Sequence, residues 1–319
     1  MKRIISVLLL AAILVCVCAN GLCEEKLTFV AMKGPTGMGA VYLDDEQYAA
    51  QWSVEYAASA EEAKVAFISG NADIVCLPTN LAAALYSKMP DDGVRLLALN
   101  TLGVLYIVEN GDSITSLQDL EGKTLYVTGK GSTPEYVIRF ILEKNGMTDK
   151  VQIEFVDDHD TLATMIATGS VDLAMLPEPK VTAALMNNTE LRVSLDVTEL
   201  YQETVQKDGN NSVLSMGCVI TTQKVIDTHP EEIAALMEAY RASAENVNAN
   251  ADEAAEQMAQ KGIIPKAAIA RAAIPRCHIV FIDGEEMREQ IRPFFEILYG
   301  YDPKATGGAL PGDDLYYIP

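Results

Sequence analysis

Two short runs carry the residue types from which a binding site could be built, Lys33-Gly34-Pro35-Thr36 and Lys130-Gly131-Ser132-Thr133. Each follows a strand-like apolar run and precedes a helical pattern. In such a turn glycine lets the backbone approach a ligand, and the hydroxyl and the unpaired N–H groups at a helix start can grip an anion or a carbonyl-rich group. The same residues could also simply cap helices, and either lysine could point into water. Duplication favours binding. A second pair, Gly70-Asn71-Ala72-Asp73-Ile74-Val75-Cys76-Leu77-Pro78 and Gly169-Ser170-Val171-Asp172-Leu173-Ala174-Met175-Leu176-Pro177, repeats at an offset of 99 residues, against 97 for the lysine turns. Two similar α/β lobes are expected, and a pair of lobes makes a cleft.

In open parallel sheets the carboxyl ends of strands and the starts of the following helices line the ligand crevice. That rule adds Ala58-Ser59 and Pro78-Thr79-Asn80 in one lobe, with Asp157-Asp158-His159 and Pro177-Glu178-Pro179 in the other. Glu178, whose counterpart is the uncharged Thr79, could take an amine or protonated ring nitrogen, or be solvated. Asp157 and Asp158 read as capping or solvent-facing, and Trp52 as packing. His159, His229 and His278 lack metal-ligand spacing and read as structural, so no metal or cofactor is expected. Of six cysteines, three lie in the first 23 residues, leaving Cys76, Cys218 and Cys277, with no C-x-x-C among them. Cys76 and Cys218 sit in apolar runs and read as buried thiols. There is no G-x-S-x-G or phosphate loop, and Gly129-Lys130-Gly131 lacks the third glycine of a dinucleotide fingerprint. The residues thus point to binding without catalysis.

The elements that must position these residues alternate in the βαβα manner of a parallel sheet covered by helices. Ser59-Ala60-Glu61-Glu62 and Thr228-His229-Pro230-Glu231 read as capping boxes, and Ser132 or Thr133 as the N-cap of a helix stopped by Gly146. Residues 95–108 are long enough for two strands and read as a first crossing between lobes. The polar stretch 202–211 leads to a return crossing at 212–221, followed by mostly helical sequence and a tail, 304–319, that wraps over a lobe. Residues 24–105 and 216–319 therefore form one lobe and 106–215 the other.

The chain has 319 residues, 49% of them hydrophobic, enough for two lobes with good cores. Residues 1–23 read as a secretory signal, with Lys2-Arg3 ahead of a short apolar run. No small residue precedes Cys16, Cys18 or Cys23, so ordinary cleavage is expected over lipidation. The leader holds two basic and no acidic residues, so its removal takes the net charge from −21 to −23. Such acidity disfavours nucleic acid and anionic membrane as partners. An anionic ligand would have to be met by local dipoles and selected lysines.

With Leu117-x-Asp119-Leu120-x-Gly122-Lys123, Gly129 to Pro134, the G-x-x-D-[IL] repeats and Ser215-Met216-Gly217 in view, the chain resembles the solute-binding proteins of ABC importers. The group is that of the nitrate, sulfonate and taurine binders and the thiamine-pyrimidine-precursor binders. The resemblance implies a two-lobed, type II periplasmic-binding-protein-like α/β fold, each lobe a mostly parallel sheet flanked by helices, joined by two crossover segments. It further implies an exported monomer that closes on a small molecule and docks on a membrane permease. Carried over by position, it implicates Lys33, Gly34, Pro35, Thr36, Ser59, Thr79, Asn80, Asn100, Lys130, Gly131, Ser132, Thr133, Glu178 and Met216 in ligand binding. A sulfonate binder should offer donors, whereas Glu178 points to a zwitterion or an amine-bearing ring. Enzymes resembling the menaquinone-pathway dehydratases and pyrimidine synthases share the fold, as would a ligand-sensing module, and these remain the alternative readings.

Overall fold

In the computed structural model, which describes residues 26–319, the first lobe is built on β1 (Leu27–Met32). The proposed leader and its three cysteines lie outside the described residues. A tight turn and the four-residue helix α1 (Pro35–Met38) follow β1, and then β2 (Trp52–Ala57), α2 (Ala60–Ile68), β3 (Ile74–Leu77) and α3 (Thr79–Lys88). The run at 95–108 is two strands, β4 (Val94–Leu102) and β5 (Leu105–Asn110), parted by Gly103 and Val104. Next come β6 (Thr124–Val127), α4 (Thr133–Lys144), β7 (Gln152–Phe155), α5 (His159–Ala167), β8 (Leu173–Pro177), α6 (Lys180–Asn187), β9 (Leu191–Asp196) and α7 (Val197–Lys207). The chain returns through β10 (Ser215–Thr222) and continues as α8 (Gln223–Thr228), α9 (Pro230–Ala249), α10 (Ala251–Gln260), α11 (Ala267–Ala273), β11 (Ile279–Asp283) and α12 (Gly284–Tyr301).

The strands form two sheets, ordered β11-β4-β10-β3-β1-β2 and β7-β6-β8-β5-β9. Both are mixed. β1 pairs in parallel with β2 and β3, and β6 with β7 and β8, as the crossover helices require. The crossing strands run the other way: β10 is antiparallel to β3 and β4, and β5 to β8 and β9. A strand that leaves one sheet for the other, or comes back, enters without a crossover helix, so its direction is reversed. The sequence pattern alone does not carry that reversal.

Local chemistry explains most boundaries. Ser59 caps α2 by accepting from the Glu62 backbone N–H at 3.2 Å, while Glu62 reaches back to Ala58 N at 2.8 Å. Thr228 does not open α9: its hydroxyl donates to the Lys224 and Val225 carbonyls and so closes α8. The polar stretch 202–211 is helical as far as Lys207, because α7 buries Tyr201, Thr204 and Val205 and leaves its polar face in water. The tail wraps the first lobe. Tyr316 forms an isolated parallel bridge with Leu96, and Tyr317 N donates to Leu96 O at 3.0 Å.

The opening of the second lobe shows why that motif has its spacing. Leu117 and Leu120 are buried, one turn apart, and Asp119 accepts from the backbone N–H and hydroxyl of both Thr115 and Ser116 at 2.9–3.0 Å. Those donors, the Thr115 N–H foremost, pull the Asp119 carboxyl down to about 2. Its folded value lies below the unfolded one of about 3.9. Its contribution to stability is therefore complete above the unfolded value and lost as pH falls toward 2. Carbon-13 NMR of the carboxyl should give a midpoint near 2, and Asp119→Asn should flatten this part of the acid-stability profile; a midpoint near 3.9 would refute the assignment.

Packing ties the lobes together on one side. α12 buries Met287, Ile291, Phe294, Phe295 and Leu298 in a single apolar cluster with Val137, Phe140, Ile141, Tyr201 and Val205 of the second lobe. The Tyr201 and Phe294 rings meet edge to face, 6.0 Å between centroids at 83°. A separate cluster lies beneath the first sheet against α9–α11, and another beneath the second.

Candidate functional site

The first lysine turn is fixed from several sides. Lys33 N donates to Ala57 O at 2.9 Å and Gly34 N to Ile263 O at 3.1 Å, with Gly34 at φ 97°, a conformation that favours glycine. From β4, Asn100 Nδ2 donates to Thr36 O at 2.9 Å. The same amide lies 3.0 Å from the Tyr240 hydroxyl. β10 runs directly beneath, so close that a Cβ on Gly217 would lie 2.6 Å from Asn100 Oδ1 and 2.9 Å from Thr36 Cγ2. The turn is thus seated on two crossing strands and a helix loop.

Above it opens a cavity of about 780 Å³. One wall is Met32 to Thr36, Ala58, Pro78, Asn80 and Leu81, with Gly262 to Pro265 from the α10–α11 loop. The facing wall is Gly129, Ser132, Thr133, Pro134, His159 and Pro177 to Lys180, and Thr101, Val104 and Met216 stand between the two at the crossings. Six of the lining residues are prolines, and none is Phe, Tyr or Trp. The walls are therefore apolar and stiff, with polar groups confined to a few places.

Nine of the residues implicated from sequence line this cavity: Lys33, Gly34, Pro35, Thr36, Asn80, Ser132, Thr133, Glu178 and Met216. Five do not. Ser59 is exposed and occupied in capping α2, and Thr79, the first residue of α3, is buried with its hydroxyl 2.8 Å from Ser215 Oγ of β10. Asn100 is fully buried and acts on the turn, as described. The second lysine turn is not the equal of the first. Gly131 N is taken by Glu135 Oε2 at 2.7 Å, and Lys130 lies 5.6 Å from the centroid of the Phe155 ring, so both sit outside the wall.

Glu178 differs from the expectation in another way. Its carboxylate has 0% exposure and is ion-paired with Arg276; it also accepts from Thr182 Oγ1 at 3.0 Å and Thr182 N at 3.1 Å. The amine-binding group expected at this position is already neutralised from within the protein. Sequence reasoning missed Arg276 because 98 residues separate the partners.

His159, read as structural, is on the wall. Thr128 Oγ1 engages its Nδ1 at 2.6 Å, which leaves Nε2 as the free ring nitrogen. Burial, reinforced by the nearby Lys180 charge, holds the imidazole below its usual pKa. Lys180 itself is paired with Asp160, whereas Lys33 has no acidic partner among the described residues. The other omission is the loop 262–265, an apolar Gly-Ile-Ile-Pro run between helices, where such a run signals a turn that has something to bury.

Besides the single turn α1, four longer helices, α3, α4, α5 and α6, begin at the cavity, through Pro78 and Asn80, Ser132 to Pro134, His159, and Pro179-Lys180. Their N-termini carry partial positive charge. Together with Lys33 they set a locally positive cavity in a strongly acidic chain. The three thiols lie elsewhere, buried and unpaired, and burial pushes Cys76 up to about 12. Among the described residues no His, Cys, Asp or Glu cluster could hold a metal, and no helix is long and apolar enough to cross a membrane.

A family model described as NMT1/THI5 like matches residues 93–254, half of the chain. No curated protein matches. Among solved structures, one described as an ABC transporter from Parabacteroides distasonis superposes with a TM-score of 0.77 at 24% identity, covering 93% of this chain and 99% of its own. The periplasmic aliphatic sulphonate binding protein SsuA of Escherichia coli gives 0.69 at 13%, covering 93% of each. The alkanesulfonate-binding protein SsuA of Xanthomonas axonopodis pv. citri, bound to MOPS, gives 0.61 at 12%, covering 90% of this chain and 94% of its own. At these identities the likeness establishes the two-lobed fold.

Proposed function

We propose, for a chain that belongs to the NMT1/THI5-like family, that it is the extracytoplasmic solute-binding component of an ABC importer. It captures a small organic anion with an apolar body between lobes formed by residues 24–105 with 216–319 and by 106–215, and it delivers that solute to a membrane permease as an exported monomer. The observation that carries the reading is the cavity's charge. Four helix starts and Lys33, which has no acidic partner among the described residues, face it, while Glu178, the one carboxylate among its described lining residues, is neutralised by Arg276. An oxyanion would be met by donors from Thr36, Asn80 and Thr133, and the proline, methionine and isoleucine walls suit an aliphatic remainder. The names of the Escherichia coli and Xanthomonas structures agree with a sulfonate, one member of this class. An amine-bearing heterocycle loses its main support, since the carboxylate that would receive it is occupied. Binding is favoured over catalysis because the wall presents one imidazole and no paired nucleophile.

The test is a thermal-shift screen of the chain without its leader, followed by calorimetry, against organosulfonates, nitrate, carboxylates, amino acids and pyrimidines. A ligand at a hundred times its dissociation constant adds about 2.7 kcal/mol of stability, a readily visible shift. Organic anions should give the shift, and Lys33→Ala should weaken them roughly tenfold and reduce the salt dependence of binding. If only cationic or amine-bearing compounds stabilise the protein, the reading fails.

A further inference from the structure

Among the described residues Glu178 is the only acidic one lining the cavity, and it comes with a counter-ion that does not line it. Arg276 Nε donates to Glu178 Oε1, and Arg276 Nη2 donates to Thr182 Oγ1 at 2.6 Å. The guanidinium arrives from the other lobe, on the 3-10 turn Ile274–Arg276, and its backbone is pinned across the cleft because Arg276 O accepts from the Tyr106 hydroxyl at 2.9 Å. Two residues on, His278 Nδ1 meets Gly103 O at the crossing between β4 and β5, and Leu102 N donates to His278 O at 3.1 Å. At the equivalent strand end of the first lobe stands the uncharged Thr79, bonded to Ser215. The charge at this position and the cation that offsets it therefore occur together on one side of the cleft only.

We propose that Arg276 sets the charge preference of the cavity from outside it, by keeping the Glu178 carboxylate neutralised. It is a positioning residue, and the inference rests on the reading of the cavity as an anion site. Remove the guanidinium and a buried carboxylate remains at the wall, poorly solvated and unpaired. It then opposes an anion in the cavity and favours a ligand that brings its own positive charge, because Coulomb forces at such range are weakly screened in a desolvated site. Lysine at 276 would retain the neutralising charge, though with a single donor direction in place of the guanidinium fork.

The experiment measures affinities by calorimetry for two ligand pairs that differ only in an amine, ethanesulfonate against taurine and propionate against β-alanine. The proteins are wild type, Arg276→Lys, Arg276→Gln, Glu178→Gln and the Arg276→Gln/Glu178→Gln double variant. The readout is the ratio of anion to amine-bearing affinity within each pair, which a general loss of folding or packing does not move. Arg276→Gln should lower that ratio about tenfold or more, Arg276→Lys should stay near wild type, and the double variant should return toward it. Glu178→Gln alone, which leaves Arg276 unopposed, should raise the ratio. That variant keeps the inference testable if Arg276→Gln does not fold. An unchanged ratio in Arg276→Gln or Glu178→Gln, or a double variant no better than Arg276→Gln, overturns it. A wild type that prefers the amine-bearing member overturns the anion reading instead, and the change between variants still decides the role of Arg276.

Discussion

Gly37→Ala should abolish ligand binding to within measurement at concentrations that saturate the wild type, a loss of about a hundredfold or more. Gly37 lies in α1 directly against the end of β1. A Cβ there would sit 2.1 Å from the Met32 carbonyl oxygen and 3.1 Å from its carbon. Both are backbone atoms of a strand held by β2 and β3, so no rotamer relieves the contact. The turn must retreat by about 1 Å, and overpacking of this kind costs about 1–3 kcal/mol or more. That motion carries Pro35 and Thr36 away from Thr101 and Asn100, whose bonds to Pro35 O and Thr36 O are 3.4 and 2.9 Å long. A site misplaced by about 1 Å loses most of its preorganised binding energy. Gly34→Ala makes the comparison informative, because a Cβ at Gly34 meets nothing within 4 Å and only its φ of 97° is unfavourable. Calorimetry on both variants, with thermal melts to confirm folding, checks the prediction. Equal binding by Gly37→Ala and wild type would show that the turn does not hold the ligand.

The same turn shows how far the sequence could be read. Glycine, proline and hydroxyl residues after a strand announce a backbone arrangement, and they do so locally, so Lys33 to Thr36 and Ser132-Thr133 were legible as cavity wall. What one copy implied about the other was less secure. Lys130 and Gly131 have the same residue types as Lys33 and Gly34, but Glu135, four residues on, supplies a local acceptor for Gly131 N, and Phe155 at the next strand end gives Lys130 a place to lie. Repeats conserve the chain path more faithfully than the direction of a side chain. Glu178 was legible as a wall residue and not as an ion-paired one, because its partner enters from a remote segment of the other lobe. The reversal of the crossing strands was missed for a related reason: β5 and β10 have the apolar composition of strands buried on both faces, and composition does not record which way a strand enters a sheet. Local rules thus recovered most elements and the location of the cleft. The charge state of the cleft and the orientation of the crossing strands depend on contacts made after folding.

Phe294→Ala should cost about 3–5 kcal/mol of stability, the usual price of removing a fully buried aromatic side chain, and should also loosen the two lobes. Phe29→Ala should cost a similar amount and leave the lobe relation intact. Both side chains have 0% exposure, but they belong to different clusters. Phe29 lies beneath the first sheet against Tyr240. Phe294 belongs to the first lobe's last helix and packs on Tyr201 of the second, beside the inter-lobe bonds from Tyr136 Oη to Asp302 Oδ2 at 3.1 Å and from Val213 N to Gln290 O at 3.2 Å. Interfaces between lobes default to mobility unless they are large and apolar, and the α12 side has an apolar centre with a few polar bonds at its rim. The α12 side should then act as the fixed edge about which the cleft opens, with the Arg276 and Glu178 pair among the contacts that part. Deleting Phe294 removes an edge-to-face contact worth about 0.5–1.5 kcal/mol beyond its buried area and leaves a void at that edge. Small-angle scattering should show a larger radius of gyration for ligand-free Phe294→Ala than for wild type, with compaction restored by saturating ligand, while Phe29→Ala follows the wild type. If the two variants lose stability alike and scatter alike, the lobes do not pivot on α12, and the closing motion has to be sought at the two crossings alone.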